Sequence, residues 1–256
     1  MNATAVRRAC CALMIAAVFA PAIGAAASMI FGTAEVTGKT GRGLQFDFHG
    51  GRCEEFGFSD WRDADGALVA REELRYRGDD WISYRLERLN IGQSVAASRE
   101  GEVIEVEIRE PRKQRRVRLH VEGEVYAGPT LITRIQAALP ELRRARPVEI
   151  QYLVAEQAMV IGLRATATAS GTGGLTNVRI EASSALLRPF VPTTWLRFDA
   201  RGDFLGMQGR LLPQAERAAG LDGIIRIEPS SQQSAVRNAA NAPASMKSSC
   251  NKPSVS

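Results

Sequence analysis

Histidine is scarce in this sequence of 256 residues, which contains only His49 and His120. Because histidine is the side chain that most often moves protons at neutral pH, the composition disfavours histidine-based general acid–base catalysis. The best group of metal-ligand types is His49, Cys53 and the pair Glu54 and Glu55. The Gly50-Gly51 step inside this group is typical of a hairpin tip, which would separate His49 from Cys53. We therefore predict no metal site and no cofactor.

Lysine is also rare, with only four among 33 basic residues, and no nucleic-acid-binding motif accompanies the arginines. The formal net charge is +5, and removal of Arg7 and Arg8 with an N-terminal signal would lower it to +3. So mild a charge does not indicate a polyanionic partner. We expect no binding to nucleic acid.

The sequence has one long apolar run, at residues 9–20, which follows Arg7 and Arg8 and precedes the small residues around position 27. This order predicts a cleavable signal peptide over residues 1–27, and the run is shorter than the roughly 20 residues that a membrane-spanning helix needs. The arginine pair also allows a twin-arginine signal, but its neighbours favour ordinary secretion. We expect a periplasmic or secreted protein with no transmembrane anchor after cleavage.

Two cysteines would remain after cleavage, Cys53 and Cys250. An oxidising compartment permits a disulfide between them. Cys250 lies in a segment rich in Ser, Asn, Gln, Ala and Pro, which predicts a disordered tail over residues 229–256. The sequence leaves open whether the two thiols pair.

Between residues 29 and 227 the apolar residues alternate with polar ones and are interrupted every 8 to 14 residues by Gly, Asp or Pro. Ile104, Val106 and Ile108, for example, are separated by Glu105 and Glu107. This two-residue period is typical of antiparallel strands with one buried face. Residues 63–66 (DADG) and 199–202 (DARG) predict tight hairpins, because Asp caps a turn and Gly accepts positive φ.

One segment instead has helical spacing, with Leu131, Ile135, Ala138 and Leu142 on one face. It predicts the main helix, over residues 129–145, with a kink or a restart at Pro140. A second, short helix is predicted from Pro213 to Ala219.

Together these patterns predict a mostly β protein with a single domain at residues 28–228. The expected architecture is one antiparallel curled sheet of about ten strands, an open or half barrel, with one main amphipathic helix on its concave side. A two-layer β-sandwich is the alternative.

Three segments carry a resemblance to a known group: residues 126–131 (YAGPTL), 196–202 (LRFDARG) and 209–214 (GRLLPQ). They resemble uncharacterised secreted β-rich proteins of Gram-negative bacteria that are grouped under domains of unknown function. The resemblance covers most of residues 30–220 and implies a periplasmic location and an antiparallel sheet. It implies no activity and no functional residue.

The favoured hypothesis is a non-catalytic periplasmic binding module whose curled sheet encloses a lipid or another apolar or amphiphilic molecule. The alternatives are a structural or partner-binding envelope protein and, because histidine is scarce, a carboxylate-based hydrolase; whether the protein is an enzyme stays open. No catalytic residue is assigned. The candidate ligand-binding residues are Trp81, Tyr84, Leu131, Ile135, Trp195 and Phe198.

Overall fold

The computed structural model describes residues 28–227, apart from residues 40, 54, 79, 169–173 and 217–218. The predicted signal peptide (1–27) and the predicted tail (229–256, including Cys250) lie outside the described residues.

The described chain forms fifteen strands, one α-helix and two single-turn 3-10 helices. The strands are β1 Ser28–Val36, β2 Gln45–Cys53, β3 Phe56–Arg62, β4 Leu68–Arg77, β5 Asp80–Arg88, β6 Gln93–Glu100, β7 Val103–Glu110, β8 Lys113–His120, β9 Val125–Ala127, β10 Val148–Val154, β11 Met159–Thr168, β12 Thr176–Ala182, β13 Thr194–Phe198, β14 Phe204–Glu216 and β15 Ala219–Ile227. Helix α1 spans Thr130–Leu142, and the 3-10 turns span Leu89–Ile91 and Ala155–Gln157.

All fifteen strands belong to one sheet, in the order β8-β7-β6-β5-β4-β3-β2-β1-β15-β14-β13-β12-β11-β10-β9. Two runs of neighbouring hairpins therefore meet where β1 pairs with β15 in the middle of the sheet. Every pairing is antiparallel except that of β9 with β10, which is parallel. The prediction of a mostly β protein with one curled antiparallel sheet and one main helix is confirmed, and the described residues form no second sheet that would make a sandwich.

The predicted number of about ten strands is wrong. The predicted short helix from Pro213 to Ala219 is wrong as well, because β14 extends to Glu216 and β15 begins at Ala219. Pro213 is tolerated there because the β14–β15 register shifts between Arg210 and Gln214, so the ladder does not require its missing N–H.

The predicted hairpin tip at Gly50 and Gly51 is also wrong, because both glycines lie inside β2. Gly50 pairs with Ile30 on β1 and with Ser59 on β3, so strands on both sides extend the ladder past the glycines. The predicted hairpins at residues 63–66 and 199–202 are confirmed. Asp63 accepts the backbone N–H of Ala67 at 2.9 Å, and Asp199 accepts that of Asp203 at 2.8 Å.

Helix α1 continues through Pro140 without a restart and ends two residues later, because Pro140 falls in the last turn. Its buried residues Ile135, Ala138, Leu139 and Leu142 share one core cluster with inward-facing residues of β10–β14. Arg143 donates to the Thr176 hydroxyl at 3.0 Å, which fixes the C-terminal end of the helix to β12.

The sheet rolls until its β9–β10 end lies against the concave face of β5–β8. Leu153 points away from Tyr152 and Val154 on β10 and joins the core cluster that contains Leu86 and Val106. Because side chains alternate along a strand, the end of β10 is covered on both faces. The rolled sheet therefore encloses an interior into which the N-terminal end of α1 also projects.

Candidate ligand-binding site

The interior contains a cavity of about 280 Å³. It is bounded on one side by β2–β5 and on the other by β10–β15 together with the start of α1. Most of its wall is apolar, with examples on both sides: Phe48, Leu131, Ile132, Leu163, Phe204 and Met207. Pockets for small molecules typically occupy about 300–1,000 Å³, so this cavity, just below that range, has room only for a small ligand.

A buried carboxyl group, that of Glu72, lies in this wall. Glu72 follows Ala70 and precedes Leu74 at the inward positions of β4 and is only 8% exposed. The hydroxyl of Ser59, its neighbour on β3, donates to Oε2 at 2.9 Å, and the Tyr84 phenol donates to Oε1 at 2.7 Å. Burial raises the pKa of Glu72 because desolvation outweighs these two hydrogen bonds, which act in the opposite direction.

Arg88 places a guanidinium in the same wall, one inward position beyond Leu86 on β5. Its side chain is 3% exposed and forms an ion pair with Glu156 at 3.2 Å. It also donates to the Leu212 carbonyl at 2.9 Å and to Gln93 Oε1 at 2.6 Å. Glu156 is 33% exposed, so the ion pair lies at an edge of the cavity wall that reaches the solvent.

Gly128, two residues before the first residue of the helix, allows the chain to pass directly over the buried carboxyl. Its φ is +48°, and a Cβ at this position would lie 2.8 Å from Tyr84 Cε2 and 2.9 Å from Glu72 Oε1. Tyr152 lines the same cavity, and desolvation raises the pKa of its phenol. Only glycine fits this approach without strain.

Trp61, on β3, contributes an indole ring to the cavity wall. The ring is 3% exposed and packs edge-on against Phe48, with 5.1 Å between the ring centroids. Among the described residues its Nε1–H has no hydrogen-bond acceptor. Buried polar groups are normally paired, so this donor requires an explanation.

The structure brings together two of the six candidate residues, since Tyr84 and Leu131 both line the cavity. Trp81, Ile135 and Phe198 are buried in the surrounding core clusters and do not line it. Trp195 lies on the opposite face of β13 from Leu196, where the Arg179 guanidinium is 6.0 Å from its ring centroid.

The polar residues Glu72 and Arg88 are absent from the candidates that the sequence suggested. A usable signal was present, because the alternation of Ala70, Leu74 and Tyr76 places Glu72 at an inward position of β4. In the same way Tyr84 and Leu86 place Arg88 inward on β5. A charged residue in register with buried apolar neighbours indicates a buried polar group.

The loop between β12 and β13 covers part of the cavity. Val191 and Pro192 line it from this loop, and Leu187 packs onto the core. The outer side of the loop carries Leu186 and Phe190, which are 84% and 80% exposed.

A larger groove, of about 880 Å³, lies along β4–β8. It is open to solvent, and exposed ion pairs such as Arg116–Glu107 (3.0 Å) and Arg118–Glu105 (3.4 Å) border it. Exposed ion pairs of this kind are typical of an ordinary solvated sheet face. The interior cavity is the better candidate because its wall is mostly apolar and contains buried polar groups.

No group of three or more His, Cys, Asp or Glu side chains within the described ranges is arranged to hold a metal ion. In the same part of the chain, no helix has both the length and the apolar character needed to cross a membrane.

Comparison with known families and with curated proteins gives no match. Among solved structures, the chain is similar to a β-barrel-like protein of the domain of unknown function DUF1849 from Brucella abortus. The TM-score is 0.46 and the identity 10%, over 78% of this chain and 96% of that chain. The two chains share a β-rich architecture, and the likeness carries no functional argument.

Proposed function

We propose that this is an exported, periplasmic protein that acts as a non-catalytic binding module for a small apolar or amphiphilic molecule. The observation that carries the proposal is the interior cavity of about 280 Å³, which has mostly apolar walls and one polar corner at Glu72, Tyr84 and Arg88. Ligand sites usually combine these two features, because apolar walls supply affinity and a few polar groups fix orientation.

The loop over the cavity supports the same proposal. Val191 and Pro192 form part of the wall, so this loop lies where a ligand would contact the protein. Leu186 and Phe190 on its outer side give an apolar ligand a first contact near the interior.

A carboxylate-based hydrolase is the second candidate, since Glu72 and Glu156 line the same cavity. Both carboxyl groups are already engaged, Glu72 by Ser59 and Tyr84 and Glu156 by Arg88. A general acid or base needs a free path to the bond that it protonates or the water that it activates. Binding without chemistry therefore has the better support.

Native mass spectrometry of the full-length protein, purified from the cells that make it, tests the proposal. We expect a small bound molecule that organic extraction releases intact. A hydrolysed product in the extract would support the second candidate instead. A clean ligand-free mass, together with self-association through the Leu186 and Phe190 loop, would favour a structural or partner-binding role.

A further inference from the structure

Each arginine that lines the cavity is paired with a carboxylate, so neither is left as an unpaired cation. Arg88 is paired with Glu156 at 3.2 Å, and Arg210, the other arginine of the lining, is paired with Asp222 at 3.0 Å. Glu72 adds a further carboxyl group whose hydrogen-bond partners, Ser59 and Tyr84, are uncharged. Both lining arginines thus have a carboxylate partner, and one carboxyl group is left over.

An incoming anion would be at a disadvantage in such a site. It would lose its hydration on entering the apolar interior, which is costly for any charge that gains no partner there. It would also have to displace Glu156 from Arg88 or approach Glu72. Burial raises the pKa of Glu72, which favours the uncharged carboxyl but does not make it a cation.

An uncharged polar group meets complementary partners instead. The Trp61 indole N–H is fully buried and has no acceptor within the described part of the chain, so a hydroxyl, ester or amide oxygen in the cavity can accept from it once the ring turns toward the cavity. The phenol of Tyr152 lines the same cavity. Such groups cost far less to desolvate than a carboxylate.

We infer that the natural ligand is an uncharged amphiphile bearing a hydroxyl, ester or amide group, and that the cavity discriminates against carboxylates. This inference rests on the proposed binding function and specifies its ligand class. The Arg88–Glu156 pair is central to it, because that pair withholds the most deeply buried guanidinium from an anionic ligand.

The test compares 1-octanol with octanoate, which contain the same number of carbon atoms and differ in the head group, a neutral hydroxyl in one and a carboxylate in the other. Because a water-sized group occupies about 30 Å³, the cavity holds roughly nine such groups, close to the number of heavy atoms in either probe. Dissociation constants are measured at pH 7.5 by isothermal titration calorimetry with the delipidated full-length protein. We expect octanoate to bind at least about tenfold more weakly than 1-octanol, a difference of about 1.4 kcal/mol.

The variant Glu156→Gln assigns the effect to the ion pair. Without its carboxylate partner, Arg88 should attract octanoate, so the ratio of the octanoate dissociation constant to that of 1-octanol should fall at least about tenfold relative to the wild type. Glu149→Gln is the matched control, because Glu149 is exposed on β10 and does not line the cavity. Circular dichroism and denaturant unfolding verify that each variant is folded.

The outcomes separate the inference from the proposed function. Octanoate binding as tight as 1-octanol, or tighter, overturns the inference and leaves a binding module. Failure of both probes to bind counts against the binding function itself. If Glu156→Gln does not fold, the ratio of the octanoate and 1-octanol dissociation constants of the wild type still decides whether the inference holds. If it folds and that ratio is unchanged, the role given to the Arg88–Glu156 pair is wrong.

Discussion

The Trp81 indole N–H donates a hydrogen bond to the Val125 carbonyl oxygen at 2.6 Å. Trp81 lies on β5 and Val125 on β9, two strands that are eleven positions apart in the order of the sheet. This contact holds the rolled sheet closed at the place where its β9 end meets the concave face of the opposite half. The cavity lies in the interior of this roll.

Trp81→Phe should therefore weaken the contact between β5 and β9 while keeping an aromatic ring at position 81. Loss of the donor leaves the buried Val125 carbonyl unpaired, which costs about 1–3 kcal/mol in the free energy of unfolding. Urea denaturation measures this loss, and hydrogen exchange should accelerate at the β9 amides. Trp195→Phe is the control: Trp195 lies on the outer face, and we expect a change within about 0.5 kcal/mol. Equal effects of the two substitutions would contradict the closure role.

Gly128→Ala should lower both the stability of the protein and its affinity for 1-octanol, because the added methyl group strains the backbone and collides with neighbouring side chains. A methyl group there collides with Tyr84 and Glu72, and a φ of +48° already costs an L-residue about 1–2 kcal/mol. Gly101→Ala isolates the backbone cost, since Gly101 has a φ of +59° and nothing within 4 Å of an added Cβ. We expect Gly128→Ala to be clearly the more destabilising in urea denaturation and to weaken 1-octanol binding. Matching losses of stability would show that the close approach at Gly128 is absent.

Arg71→Ala should destabilise the β3–β4 pair strongly. Arg71 binds Asp60 through two hydrogen bonds of 2.7 Å, and the Asp60 side chain is only 5% exposed. Leaving such a carboxylate without its partner costs up to about 3–5 kcal/mol. Arg85→Ala breaks a much more exposed pair with Glu87 and should cost less than about 1 kcal/mol in the same denaturation experiment. A ranking in the reverse order would rule out this difference in burial as the cause.

Glu72 should make stability depend on pH in a defined direction. Because burial raises its pKa above 4.5, the folded protein holds the proton at pH values where the unfolded chain has lost it. The free energy of unfolding therefore falls as pH rises from about 4.5 toward the folded pKa, by at most about 1.4 kcal/mol per pH unit.

Glu72→Gln lacks this titration, so the stability of the wild type relative to Glu72→Gln should decline as pH increases from 4 to 8. Denaturant unfolding of both proteins across that range measures the difference, and Glu149→Gln, with an exposed carboxyl, is the control. A difference that is constant, or that grows in favour of the wild type with pH, would show that Glu72 is not held in a desolvated state.

The alternation of apolar residues predicted the sheet and its inward face because side-chain direction along a strand depends only on local spacing. The pattern at Ala70, Leu74 and Tyr76 illustrates this, and it also positions Glu72. The hairpins at residues 63–66 and 199–202 were predictable for the same reason, since Asp and Gly determine the turn within a few residues.

Closure of the roll could not be predicted in this way. The Trp81–Val125 contact joins residues 44 positions apart, and the parallel pairing of β9 with β10 requires α1 as a connection. Both contacts shape the roll in whose interior the cavity lies. Pro213 was misleading, because only the register shift on β14 makes a proline acceptable in that strand.

The most direct test of the binding function fills the cavity from the helix. Ile132 lines the cavity, whereas its neighbour Thr133 is exposed on the same helix. Calorimetric titration of 1-octanol is compared between Ile132→Trp and Thr133→Trp, after both are shown to fold. The account predicts that Ile132→Trp abolishes binding and that Thr133→Trp binds like the wild type. Unchanged binding to a folded Ile132→Trp variant would contradict the proposal that this cavity is the ligand site.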